Sequence, residues 1–203
     1  TSEVDDFFNI GHVDVAAGLA SAINSDLNAV VDGDIDYPLE ASVTDGQLTI
    51  TGLAAFTLDQ TLDESKLTLN SSLSEKAFTA ATVTLSGTPA ATDEWFLTVN
   101  GKTYRYTVQT DDNLAAVANG LKTKVSEDKA YDVSVENAVL SISRVDGEAF
   151  NLLSQAGETG GAMSLGGTRA TNAYQKLVID VESITAAAEG TLWSLQLSNR
   201  TYD

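Results

Sequence analysis

Four carboxylates gather in one short stretch. Asp32, Asp34 and Asp36 alternate with Gly33 and Ile35, and Glu40 follows Tyr37-Pro38-Leu39. Oxygen ligands spaced this way suit calcium, a hard cation that collects carboxylate and carbonyl oxygens. The run departs from an EF-hand, because glycine stands at its second place and no carboxylate closes the far end of the loop. A solvated acidic turn before Tyr37-Pro38 is the competing reading. Glu3, Asp5 and Asp6 form a second, sparser acidic group beside Phe7 and Phe8. Paired carboxylates also serve acid–base chemistry, yet nothing beside these supplies a nucleophile or an oxyanion site.

The other chemistry-bearing residues are few. His12 is the only histidine, which excludes a two-histidine zinc site, and it reads as a helix-entry residue. Gly157, Gly160, Gly161, Gly166 and Gly167 lack the Lys-Ser/Thr of a phosphate-binding loop. Asn70-Ser71-Ser72 and Asn199-Arg200-Thr201 fit the glycosylation pattern, which we read as coincidence. Trp95 and Trp193 have the stacking surface sugars need, but each alternates with apolar residues, so both read as core. Cysteine is absent, which removes disulfides and thiolate chemistry. No catalytic constellation emerges, and the expectation is a protein that is not an enzyme and needs no cofactor beyond calcium.

Net charge bounds the partners. Twenty-nine acids against 11 Lys and Arg leave −18, a field that repels nucleic acid and anionic membranes. No apolar run approaches the roughly 20 residues of a membrane helix, and the opening Thr-Ser-Glu-Val-Asp-Asp is not a signal peptide.

The elements that must position these residues come twice. Trp95-Phe-Leu-Thr-Val-Asn-Gly-Lys-Thr-Tyr104 returns as Trp193-Ser-Leu-Gln-Leu-Ser-Asn-Arg-Thr-Tyr202. In the first copy Val83 and Leu85 mark a strand, and Trp95, Leu97 and Val99 a second. Asn100-Gly101 turns the chain into a third strand carrying Tyr104, Tyr106 and Val108. Asp111 or Asp112 is the expected cap of a helix with Leu114, Val117, Ala118, Leu121 and Val125 on one face. Tyr131, Val133 and Val135 then alternate, as do Leu140 and Ile142, with a looser stretch from Phe150 to Leu165. In the second copy Val15, Ala16, Leu19 and Ile23 form the helix face, and Val43, Leu48 and Ile50 the hairpin around Asp45-Gly46. Phe56 answers Phe150, and Ile179 and Val181 answer Val83 and Leu85. A shared pattern with sliding loops marks a duplicated unit of about a hundred residues.

The fold class expected is α+β: two tandem β-rich domains, each an antiparallel sheet with one covering helix. The copies are circularly offset. Residues 1–80 form a unit without its first strands, 81–173 a complete unit, and 174–203 a strand and hairpin. Reading from Asp203 into Thr1 restores the order of the complete copy. The hairpin either folds back within its own chain, completes a neighbouring molecule by strand donation, or belongs to a longer covalent array. Trp193, Leu195, Leu197 and Tyr202 are its assembly residues.

The run Trp-x-Leu-Thr-Val-Asn-Gly-x-x-Tyr-x-Tyr-x-Val, then Leu-Ala-Ala-Val-Ala-x-Gly-Leu and the two alternating strands, resembles a tandem repeat of giant bacterial surface and adhesin-like proteins. Similar units occur in phage tail sheath-like proteins. The resemblance implies spacers or scaffolding: an acidic structural repeat of an extracellular or cell-surface bacterial filament or stalk, its partners further copies of itself. The alternatives are a carbohydrate- or surface-binding adhesion module and a phage tail component.

Overall fold

The computed structural model of the chain describes residues 12–32, 35–61, 67–181 and 194–203. In chain order its elements are α1 (His12–Ser25), β1 (Val30–Asp32), β2 (Ile35–Tyr37), β3 (Leu39–Thr44), β4 (Gln47–Thr61), β5 (Leu67–Leu69) and β6 (Glu75–Gly87). There follow β7 (Glu94–Val99), β8 (Lys102–Thr107), α2 (Leu114–Val125), β9 (Tyr131–Glu136) and β10 (Val139–Arg144). The last four are β11 (Leu152–Gln155), β12 (Gly161–Val181), β13 (Leu195–Leu197) and β14 (Arg200–Tyr202). With two helices among mostly antiparallel sheet in the described residues, the chain is a β-rich α+β protein. No described helix is long and apolar enough to cross a membrane. The chain divides into two compact units, residues 77–171 and residues 1–76 with 172–203.

The contiguous unit is built on the β7–β8 hairpin. Trp95, Leu97 and Val99 point inward and are almost completely buried, as strand alternation requires. Asn100 and Gly101 take φ of 43° and 75°, the paired positive angles of a tight hairpin turn. β11 pairs with β7 on its other edge, Leu152 opposite Val99. A second sheet places β10 between β9 and β6, with Leu140 opposite both Val135 and Val83. α2 lays Val117, Ala118, Leu121 and Val125 into this core. Its cap is Asn113, whose side chain accepts from the Ala116 amide at 3.0 Å, rather than Asp111 or Asp112. The carboxylate of Asp112 is committed elsewhere, accepting from Tyr106 Oη at 2.7 Å and from the Gln109 amide at 2.8 Å.

The stretch read as loose in sequence is strand. β11 holds Leu152 and Leu153, and β12 starts at Gly161 and runs without a break through Gly166 and Gly167. Gly167 has φ of 119°, and a Cβ there would lie 2.2 Å from the Ala80 carbonyl oxygen. Glycine is the residue that lets the two backbones come this close.

The other unit has α1 over the β3–β4 hairpin, with Ala16, Leu19 and Ile23 buried. β4 pairs with β3 through Leu48 opposite Val43, and with β12 through Leu48 opposite Ile179. Phe56 and Tyr174 sit opposite each other with ring centroids 6.5 Å apart. The hairpin of β13 and β14, turning at Ser198 and Asn199, pairs with β4 of its own chain, Leu195 opposite Thr61 and Leu197 opposite Leu58. It fills the core with Leu195, Leu197 and Tyr202.

Candidate functional site

The most organised polar group in each unit fastens the hairpin to the end of the helix. Tyr202 donates its hydroxyl to Asp26 Oδ2 at 3.1 Å, and Arg200 Nη1 stands 3.3 Å from the same oxygen. The other oxygen, Oδ1, accepts from the Asn28 amide at 3.1 Å, closing a small turn just past α1. In the contiguous unit Tyr104 donates to Asp128 Oδ2 at 2.9 Å, Lys102 Nζ lies 3.0 Å from that oxygen, and Oδ1 accepts from the Ala130 amide at 3.1 Å. Each carboxylate therefore gathers a phenol, a cation and a backbone amide.

Electrostatics follow from this packing. Burial works to raise the Asp128 carboxyl, but the Ala130 amide, the Lys102 ammonium and the Tyr104 hydroxyl together hold it below the usual range. Burial, then the charge and hydrogen bond of Asp26, push the Tyr202 phenol up to about 12. Asp128 is thus held as the carboxylate that accepts from Tyr104, and Tyr202 as the phenol that donates to Asp26.

A second recurring bond ties the hairpin turns inward. Asn100 donates its amide to the Asn151 carbonyl at 3.1 Å, and its Oδ1 accepts from the Asn151 amide at 2.8 Å. Ser198 donates its amide to the Thr57 carbonyl at 3.1 Å, and its Oγ accepts from the Thr57 amide at 3.1 Å. Asp59 completes the second set by accepting from the Asn199 amide at 2.7 Å.

The acidic stretch is a short hairpin, with Val30 opposite Tyr37, Val31 opposite Asp36 and Asp32 opposite Ile35. Paired residues share a face and neighbours alternate, so Asp32 and Asp36 stand on opposite faces. Asp34 lies outside the described residues, as do Glu3, Asp5 and Asp6. Glu40 is on the exposed side of β3, whose Leu39 is buried. Among the described residues no three His, Asp or Glu side chains come together as a metal-holding group.

The remaining candidates are placed as follows. Leu195, Leu197 and Tyr202 are core residues of their own chain, while Trp193 lies outside the described residues. His12 is the first residue of α1. Asn70 is built into a turn, its Nδ2 donating to Asp180 at 2.9 Å and its Oδ1 accepting from the Ser72 hydroxyl at 2.7 Å. Trp95 is fully buried against Gly161, where a Cβ would fall 2.4 Å from the indole ring.

Sequence reasoning missed Asp26 and Asp128. Each follows a helix as one acid in a chain full of acids, and its partner is a hairpin tyrosine that period-two alternation marks only as core. The shared spacing of Lys102-Thr-Tyr104 and Arg200-Thr-Tyr202 was the available signal. A scan against protein-family models finds no match, and no curated protein matches the chain.

Proposed function

We propose that this chain is a structural repeat segment of an acidic extracellular or cell-surface bacterial filament or adhesin stalk. Its partners are further copies of itself, joined head to tail as a covalent array or by strand donation. The observation that carries this reading is the recurrence of the same fastener, Tyr–Asp–cation with a backbone amide, at Tyr202–Asp26–Arg200 and Tyr104–Asp128–Lys102. Duplicated units of this kind keep what holds the fold together and vary the loops. The role is mechanical: hydrogen bonds between strands and packed cores bear load along the array. Burial of Trp95 takes one of two candidate stacking surfaces from the carbohydrate-binding reading. Calcium at Asp32, Asp34, Asp36 and Glu40 is a subsidiary proposal, which would need ligands from both faces of the β1–β2 hairpin. Chelation that lowers the unfolding temperature, reversed by added calcium, supports it, and no shift on either treatment removes it.

The test is the mass of the native protein under denaturing conditions, with micrographs of its assembled form. A mass far above 21.3 kDa, or long particles built from smaller chains, supports the proposal. Monodisperse compact particles of a single chain overturn it.

A further inference from the structure

One sheet face occurs in both units and is filled in only one of them. In the contiguous unit β10 lies between β9 and β6, so each β10 residue shares a face with the residues opposite it on both sides. Leu140 and Ile142 are buried in the core that α2 completes. Ser141 and Ser143 turn the other way. Ser141 stands in a row with Ser134 and Thr82, and Ser143 in a row with Asp132 and Ala80. Past β6 come two glycines of β12. A Cβ at Gly166 would fall 2.9 Å from Thr82 Oγ1, and Gly167 lies against the Ala80 carbonyl.

These side chains are short, and they leave an open pocket of about 390 Å³, lined also by Thr168. That volume falls in the range of small-molecule sites. No described side chain takes up the hydroxyls of Thr82, Ser134, Ser141 and Ser143 or the carboxylate of Asp132. In the other unit the matching rows are Ser42, Thr49 and Val178, and Glu40, Thr51 and Lys176. A turn covers that place. The Asn70 amide donates to the Val178 carbonyl at 2.9 Å, Ser74 Oγ accepts from the Val178 amide at 2.9 Å, and Val178 is buried. Lys176 adds a cation to the row of Glu40. The contiguous unit instead has Thr82 for Val178, Ala80 for Lys176, and glycine backbone where the turn would be.

The lining selects the ligand. A serine or threonine hydroxyl both donates and accepts, so four of them suit a molecule whose own groups do both. An apolar ligand would leave them unpaired, which costs free energy. A metal ion collects several charged oxygens, and Asp132 is the one carboxylate among the described lining residues. Anions are repelled by Asp132 and by the net charge of −18. No aromatic ring among the described lining residues offers a base a stacking surface. β10 is paired on both edges, so a peptide finds no backbone there to extend. A neutral polyol meets every one of these conditions. We propose that this face binds a neutral sugar, with Asp132 accepting from two adjacent hydroxyls and Thr82, Ser134 and Ser141 bonding others, a role beyond the assembly reading above.

The test follows amide resonances of the isotope-labelled full chain by NMR. It is titrated with cellobiose, maltose and lactose, and with digalacturonic acid as the acidic counterpart. The expected result is saturable shifts centred on Thr82, Asp132, Ser134 and Ser141 with at least one neutral disaccharide, and binding of the acidic one roughly tenfold weaker or less. Asp132→Asn is expected to weaken the neutral sugar about tenfold, as for a lost bond to a charged group. Thr82→Val, which copies Val178, is expected to weaken it several-fold. Both side chains lie on the outer face, so the urea midpoint of each variant should match wild type. Shifts that saturate with no neutral disaccharide, that centre elsewhere, or that both variants leave unchanged overturn the site. Equal binding of digalacturonic acid overturns the neutral ligand.

Discussion

Tyr202 and Asp26, separated by 176 positions in the chain, meet at 3.1 Å and close the unit that contains both. Tyr104 and Asp128, only 24 positions apart, make the same bond at 2.9 Å. One chemical contact thus serves a local and a long-range closure.

Removing either hydroxyl tests the fasteners. Tyr202→Phe and Tyr104→Phe each keep the ring in the core and leave a carboxylate short of one donor. We expect each to cost about 1–2 kcal/mol in urea unfolding, the usual price of a lost bond to a charged group. A change within error for both would remove the fastener role.

The phenol of Tyr202 gives a pH signature. Its folded pKa of about 12 lies above the ordinary tyrosine value of 10.0, so the folded state favours the neutral form. That stability is fully present below pH 10.0 and is lost as pH rises through about 12. Ultraviolet titration of tyrosinate should show late ionisation from Tyr202 that disappears in Tyr202→Phe, leaving that of Tyr106, which its hydrogen bond to Asp112 also raises.

Asp146 gives the opposite signature at low pH. The Arg144 guanidinium, bonded through Nε at 2.9 Å, is the main cause that holds its carboxyl at about 2. A lowered carboxyl pKa contributes stability above the ordinary aspartate value of 3.8, lost as pH falls through about 2. Carboxyl NMR should find Asp146 ionised where ordinary aspartates are half protonated, and Arg144→Lys should bring it back toward them.

Core packing around Trp95 predicts two further losses. Trp95→Ala should cost about 3–5 kcal/mol, the range for truncating a buried aromatic. Gly161→Val would place its Cβ against the indole ring and should lower the unfolding temperature markedly. Wild-type stability in the glycine variant would show that the ring moves freely at that contact.

Deleting residues 194–203 strips β4 of its hairpin and uncovers Phe56 and Leu58. The expected outcome is dye binding to exposed apolar surface and association into larger species. A truncated chain that stays monomeric and dye-negative would mean the hairpin is dispensable to its unit.

Sequence showed most clearly what repeats on a short period. The faces of α1 and α2, the alternation in β7 and β8, and the Asn100-Gly101 turn all follow from spacing and turn chemistry. The long strands did not show, because β12 passes through Gly166 and Gly167, which read as breakers until the close approach to Ala80 is seen. Asp112 looked like the helix cap because its type suits one, yet its carboxylate holds Tyr106 and Gln109 and Asn113 caps instead. Asn24, which donates Nδ2 to the Ala41 carbonyl at 2.9 Å and accepts the Ala41 amide on Oδ1 at 2.8 Å, was invisible for a related reason: its partner is backbone, which leaves no mark on residue type.

The pairing of β13 with β4 also orders events in time. Residues 77–171 can collapse as soon as they have been synthesised, since every strand they need is among them. The unit around α1 must hold its helix and the β3–β4 hairpin unfinished until residues 194–203 arrive, closing a loop of well over a hundred residues. On a translating ribosome the contiguous unit therefore matures first, and the other spends that interval with the side of β4 meant for β13 unsatisfied, open to a chaperone or to a neighbour's hairpin.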